Sequence, residues 1–414
     1  MERREIGAIL QDPYAHANND NEIWAAFDYK GKMCSAVTVT PVTLRINGRD
    51  TPTGAIAGVV TRPESRGRGY IGHIMRYAIP NMLANGQVFS LVYPFSFRYY
   101  RKFGYEICYP YQQVTIPIEM FNHYPYPSQT EAFSKGDDIA PFMDVYESFT
   151  KDRNLSAVRS KEDWTRILNR DPYMDLHFTY LHYDSAGRAD SYVFYNPVKE
   201  NGGHILQIEE CCWRTVYGLH RILGLFGKLS SEYEFVRWNA PNDLDIHALF
   251  PEPRSIIWNT QPAGMIRIVD VVGALSRLTA PEGVGSLSIG VTDEFLPENT
   301  GVYQIKWESG NLSVSQQNDG EVELDTNIET LAQLITGYTS PHEALYSKSA
   351  YDKKDKKDKR YEKDKIGTES GEYKVNNEDK LKGKIKEGNR KDKTIDKKLE
   401  QLFPSKHLYM MERY

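Results

Sequence analysis

The sequence predicts a mixed α+β fold built from more than one unit, and three observations carry that reading. The chain has 414 residues, more than one ordinary domain holds. Its apolar and charged shares, 40% and 26%, are those of a globular chain. Runs of β-branched residues alternate along it with stretches of helical periodicity, the pattern of sheets covered by helices.

The elements follow in order. Residues 35–46 (SAVTVTPVTLRI) read as a strand, and Asn47-Gly48 is a strong signal for a tight hairpin turn. A second strand covers 54–61, where a near-continuous apolar run implies burial on both faces. Residues 62–69 (RPESRGRG) break it. Tyr70–Ala84 reads as a helix with Ile71, Ile74, Met75, Ala78 and Met82 on one face. Pro80 weakens its later half, and Gly86 marks its stop. Residues 88–93 return to strand, and 96–102 to one or two helical turns. Ahead of the hairpin, about thirty residues remain, with Tyr14, Trp24 and Phe27 as their apolar members.

A second unit has helices over 138–153 and 161–169, then strands near 177–183, 190–196 and 203–209. Helix Val216–Lys228 and a strand over 233–238 follow. A third unit opens at 265 (MIRIVDVVGAL), with strands over 286–291 and 302–308, a turn at 308–311, a strand over 312–315 and a helix near 327–337. The expected partition is 1–125, 126–264, 265–347 joined by 399–414, and a charged insertion at 348–398.

That insertion is compositionally distinct. Residues 351–400 hold 18 Lys/Arg and 13 Asp/Glu, whereas the rest of the chain is acidic, with 33 against 43. Only nine of those fifty positions are Tyr, Ile, Val or Leu, too few for a packed core, so the segment reads as a solvated, disordered insertion. A long charged helix with i,i+4 pairs is the alternative. Apolar residues return at Leu399, Leu402-Phe403 and Leu408-Tyr409-Met410-Met411, as in a tail that docks.

Several classes are disfavoured. No run approaches 18 apolar residues, so no membrane-spanning helix is expected. The opening MERRE lacks the apolar core of a secretory signal. Cys34, Cys108, Cys211 and Cys212 lack C-x-x-C spacing, so neither a metal site nor a disulfide framework is expected; a reducing cytoplasm is. The acidic body argues against nucleic acid.

The chemistry concentrates in the strand–RGRG–helix stretch. Backbone N–H groups at a helix N-terminus have no intrahelical acceptor and bind phosphate with help from the helix dipole. Gly67 and Gly69 allow close backbone approach, and Arg66 and Arg68 add charge. Neither a G-x-x-x-x-G-K-[ST] loop nor a G-x-G-x-x-G fingerprint is present. Alone, such a turn is as often structural as functional.

The block GVVTRPESRGRGYIGHIM at 58–75 resembles the acetyl-CoA motif of GNAT acyltransferases, with Ile71 and then Gly72 where the family places its last Gly or Ala. Together with YPFSFRYYRKFGY at 93–105, the central unit and the MIRIVD opening, it resembles Eis-type N-acetyltransferases, which join two GNAT-like domains to a sterol-carrier-protein-like domain. The resemblance implies an acetyl-CoA-dependent N-acetyltransferase acting on primary amines of aminoglycoside, polyamine or lysine type. Val59, Val60 and Thr61 would contact the cofactor from the strand. Arg66, Gly67, Arg68, Gly69, Tyr70, Ile71 and Gly72 would form the pyrophosphate loop, with Phe95 and Ser96 flanking the pantetheine or adenine side. Tyr100 would be the general acid, and the free carboxylate of Tyr414 the general base. It also implies a homo-oligomer, a hexamer, and no metal. The competing reading is a catalytically weak GNAT-like protein that binds lipid or a partner through its third domain.

Without the resemblance, each residue has a plainer role. The chain has 28 tyrosines, and spacing alone does not choose Tyr100 over Tyr99. Phe95 reads most simply as a core aromatic, Tyr414 as a frayed terminus, and Arg66 and Arg68 as solvated.

Overall fold

The computed structural model describes residues 21–125, 129–200, 202–317, 320–344 and 390–411. Tyr14, Tyr414 and most of the expected insertion lie outside the described residues. The first strands are β1 (Glu22–Phe27), β2 (Met33–Ile46) and β3 (Arg49–Thr61). β2 and β3 form the expected hairpin, with Asn47 and Gly48 at φ 50° and 73°, the left-handed pair a tight turn needs. Helix α1 (Tyr70–Ala84) crosses to β4 (Phe89–Val92), which pairs parallel to β3. Pro80 does not end α1, which runs on to Ala84 with Pro80 on its exposed side. Helix α2 (Phe97–Arg101) and β5 (Glu106–Pro117) follow.

The central unit repeats this plan. A short β6 (Thr130–Ala132), α3 (Ala140–Thr150) and α4 (Lys161–Leu168) precede β7 (Phe178–Tyr183), β8 (Ala189–Glu200) and β9 (Gly203–Trp213). Helix α5 (Val216–Lys228) crosses to β10 (Phe235–Ala240), parallel to β9, and β11 (Ile257–Ile268) comes later. All eleven strands form one sheet, in the order β1-β2-β3-β4-β11-β5-β10-β9-β8-β7-β6. The closing strands are exchanged: β11 pairs with β4 of the first unit, and β5 with β10 of the second. β5 and β11 also pair with each other, which welds the units. The boundary expected at 264/265 falls inside β11.

Beyond it lie α6 (Val271–Leu275) and a four-stranded sheet of order β14-β13-β12-β15: β12 (Val284–Thr292), β13 (Gly301–Glu308), β14 (Asn311–Gln317) and β15 (Leu324–Asn327). Helix α7 (Ile328–Thr336) is capped by Asn327, whose side chain accepts from Thr330 N, and packs against β5 and β11 as well as β12 and β15. One apolar core therefore runs from Phe89 and Leu91 through Ile266 and Ile268 to Leu287, Leu331 and Ile335.

The last nine residues of the expected insertion, 390–398, are not irregular. They open helix α8 (Arg390–Leu402), whose Leu399 and Leu402 are buried in that same core. After it the chain threads a seam between units. Lys406 N donates to Gly337 O at 3.1 Å, and Asn154 brackets Leu408, donating from N to His407 O at 2.8 Å and accepting from Tyr409 N at 3.0 Å. Tyr409 is buried, its ring 5.1 Å from Phe149. Met410 lies over Gly264 of β11.

Candidate active site

The strand β3 is paired with β4 only over Thr53–Ile56, and then runs on to Thr61 paired with β2 alone. The register with β2 slips in this stretch, two residues of β2 spanning three of β3 between Ala36/Thr38 and Ala57/Val60. Gly58 occupies this bulge at φ 54°, where a Cβ would come within 2.9 Å of Thr38 Oγ1, so glycine is required. The apolar run at 54–61 is thus not buried on both faces throughout. It is buried to Ile56, and beyond the end of β4 it alternates, Val59 and Thr61 half-buried and Val60 exposed. Ser35 of β2 adds to this one-sided pairing, donating from Oγ to Val60 O at 2.8 Å and lying 2.7 Å from Thr61 Oγ1.

The loop that follows is open. Arg66, Gly67, Arg68 and Gly69 are exposed, and no atom lies within 4 Å of where a Cβ would stand at Gly67 or Gly69. Gly69 is the N-cap of α1, and no side chain caps that end. The first intrahelical bond is His73 N to Gly69 O, which leaves the N–H groups of Tyr70, Ile71 and Gly72 facing outward without helical acceptors. This is a backbone cradle for an anion with two guanidinium groups beside it, at the carboxyl ends of parallel strands.

The corresponding turn of the central unit is built differently. Only Arg214 and Thr215 separate β9 from α5, and the Thr215 hydroxyl caps the helix by accepting from Gly218 N at 3.1 Å. The carboxylate of Asp190 lies there too, accepting from Thr215 Oγ1 at 2.8 Å and Arg221 Nη1 at 2.6 Å. A Cβ at Gly218 would stand 2.7 Å from Asp190 O. This helix start therefore differs from that of α1 in having a side-chain cap and a carboxylate beside its first turn.

Past the end of β4, Ser96 caps α2, accepting from Tyr99 N at 3.4 Å. Tyr100 is buried in the cluster that also holds Ile56, Ile71 and Val92, with Val59, Tyr70 and Tyr99 packed at its edge. Its ring centroid lies 5.4 Å from Phe95, 5.6 Å from Tyr99 and 6.0 Å from Tyr105. Burial pushes its phenol well above the ordinary range, with Tyr105 and Tyr99 adding to the shift. Tyr99 is raised too, by burial alone. Phe95 is not a core aromatic: it is 70% exposed, because it sits in the turn past the end of β4. Val60 and Phe95 thus offer exposed apolar surface at the same edge of the sheet. The structure brings strand 59–61, loop 66–72, Phe95, Ser96 and Tyr100 to one end of β3 and β4.

The roles of Ser35 and the Gly58 bulge escape sequence reading, since each depends on how β2 pairs with β3. Another missed residue left a trace: Arg267 is a lone charge inside the apolar run MIRIV, and a charge there needs a buried partner.

Residues 9–108 and 155–268 each match a family model described as an acetyltransferase (GNAT) domain, and 271–347 match a sterol carrier protein domain. The protein is a GNAT-family acyltransferase. The acyltransferase superposes on a GCN5-related N-acetyltransferase from Anabaena variabilis with a TM-score of 0.76 at 20% identity, covering 95% of this chain and 89% of that one. A probable N-acyltransferase from Enterococcus faecalis gives 0.74 at 20% identity with the same coverage. Eis1 from Mycobacterium abscessus gives 0.67 at 15%, covering 95% and 90%. These likenesses show that the fold extends over the whole three-unit arrangement. Among curated protein sequences none matches this acyltransferase. Among the described residues there is no helix long and apolar enough to cross a membrane.

Proposed function

We propose that the protein transfers the acetyl group of acetyl-CoA directly to a primary amine, in the first GNAT unit alone. The observation that carries this reading is the open, uncapped N-terminus of α1 beside a strand that leaves its partner after Ile56. The pyrophosphate of CoA fits the N–H groups of 70–72, with Arg66 and Arg68 pairing its charge. The pantetheine arm runs along Val59–Thr61 as an added strand would, and Phe95 and Ser96 flank it. In the central unit the corresponding helix is entered without a glycine-rich loop and is capped by Thr215, which favours the first unit as the cofactor site.

In the reaction the amine nitrogen attacks the thioester carbonyl, the C–S bond breaks, and the thiolate takes up a proton as the ammonium loses one. Tyr100 is proposed as the donor to the thiolate: its raised pKa keeps the phenol protonated at neutral pH. The terminal carboxylate of Tyr414 is proposed as the group that receives or steers the amine proton. Support comes from the route of the tail. Met410 lies over Gly264, next to Met265, which pairs with Val92 at the last rung of β4. From Met411 three residues remain, about 10 Å of extended chain. An α-carboxyl has an intrinsic pKa of about 3.5, so much of its effect is electrostatic, holding the ammonium in place.

A cytoplasmic enzyme fits the four cysteines, all free and buried. The decisive experiment is acetyl-CoA turnover with polyamines, lysine peptides and aminoglycosides, read by free thiol. We expect saturable release with at least one polyamine or aminoglycoside. CoA binding without release for any amine would favour the binding-protein reading.

A further inference from the structure

We propose that the sterol-carrier unit supplies part of the acyltransferase site: Asp293, acting through Arg267, and Phe295, packed on Phe103, fix the turn that carries Tyr100. The inference rests on the assignment of Tyr100 as acid and adds residues from another unit to it.

Arg267 lies on β11 opposite Ser90 of β4, and both it and Asp293 are fully buried. Its Nη2 donates to Asp293 Oδ2 at 2.6 Å. Its Nη1 donates to the carbonyl of Phe103. Phe103 belongs to the turn that closes α2, where Phe103 N donates to Tyr100 O at 2.9 Å and Tyr105 N to the same oxygen at 3.4 Å. Gly104, at φ 77°, must be glycine, because a Cβ there would overlap the guanidinium. Tyr105 completes the contact, its hydroxyl 2.6 Å from Ser90 Oγ, which donates to Gly54 O of β3 at 2.8 Å.

From the other side, Asp293 follows β12 and shapes its own loop. Its Oδ1 accepts from Phe295 N at 3.1 Å and Leu296 N at 2.9 Å, and its Oδ2 also accepts from Asn299 Nδ2 at 3.1 Å. That loop lays the Phe295 ring 5.3 Å from Phe103 and buries Leu296 in the Tyr100 cluster. Phe103 is therefore held at its carbonyl by Arg267 and at its ring by Phe295. A buried ion pair gains little net stability over apolar residues of similar size, whereas its geometry is specific. The directional bond to Phe103 O is what an apolar replacement would not reproduce.

The test pairs Arg267→Met with Asp293→Asn. The asparagine oxygen can still accept from Phe295 and Leu296, and no buried charge remains unpaired. Three readouts are taken on the full chain: the thermal midpoint, CoA affinity by calorimetry, and kcat and KM with the fastest amine of the panel above. Exchange of the Phe103 and Tyr105 amides is followed in parallel. We expect a folded protein with CoA affinity within about twofold, a kcat lowered roughly 10–100-fold with KM for acetyl-CoA little changed, and faster exchange at those amides. Arg267→Lys, which keeps a buried donor, should recover part of the kcat. Unchanged exchange and kcat in the double variant would overturn the proposal. Tyr100→Phe separates the two readings. If it is silent while the amides of the double variant are loosened, the positioning stands and the acid is another group. If the double variant does not fold, Asp293→Asn alone must still lower kcat at unchanged CoA affinity, or the proposal fails.

Discussion

A phenol serves as an acid only if it keeps its proton until the thiolate forms; an ordinary tyrosine does so at neutral pH, and burial moves Tyr100 further in that direction. Tyr99 lies next to it and is only half-buried, so the two differ in environment, not in chemistry. Tyr100→Phe should lower kcat by roughly 10²–10⁴ with CoA affinity nearly intact. Tyr99→Phe should be mild. Stopped-flow thiol release for both variants checks this, and a reversed order would move the role to Tyr99. The sequence offered both tyrosines and no means of choosing between them. What separates them is the phase of the short helix α2, set by the Ser96 cap and the Phe103 turn. Phe95 shows the opposite limit: its type says core, and only its place beyond β4 exposes it.

Among elements, α1 and its loop were the most legible, because every signal is local. The periodic face, the Gly-rich entry and the Gly86 stop all lie within the segment itself. β5 was invisible for the converse reason. Its sequence, EICYPYQQVTIP, carries Pro110 mid-strand and a glutamine pair, which argue against a central strand. It is central because it pairs with β11 on one side and β10 on the other, and Pro110 is accommodated opposite Pro262 of β11, beside a slip in register. The loop's openness also yields a prediction. Arg66→Ala with Arg68→Ala should weaken CoA by about 1.5–3 kcal/mol for each charge-assisted bond lost, since both side chains are exposed and neither supports the fold. Calorimetry reads this directly, and unchanged affinity would remove the loop as the pyrophosphate site.

At the scale of the molecule, the exchange of β5 and β11 makes the two GNAT units one sheet, and the tail passes from the sterol-carrier unit along the seam between them. Such a route has a stringent consequence. Gly337, Asn154, Phe149 and Gly264 hold residues 406–410 one after another, so the tail is fixed in register as far as Met410. If the terminal carboxylate takes part in the reaction, its main-chain charge matters and the phenol of Tyr414 does not. Tyr414→Phe should be nearly silent. Deleting Tyr414 moves the carboxylate about 3.5 Å short and should cost much of kcat, because a fixed seat cannot slide to compensate. Amidating the terminus removes the charge, and a C-terminal tag moves it away; each should be as severe. CoA affinity should survive all four changes, since the cradle at α1 is built from other residues. The measurement is kcat for the four proteins beside calorimetric CoA binding. Wild-type turnover by the tagged protein would mean that an internal carboxylate or water handles the amine proton, and that the seam serves only to bind the three units together.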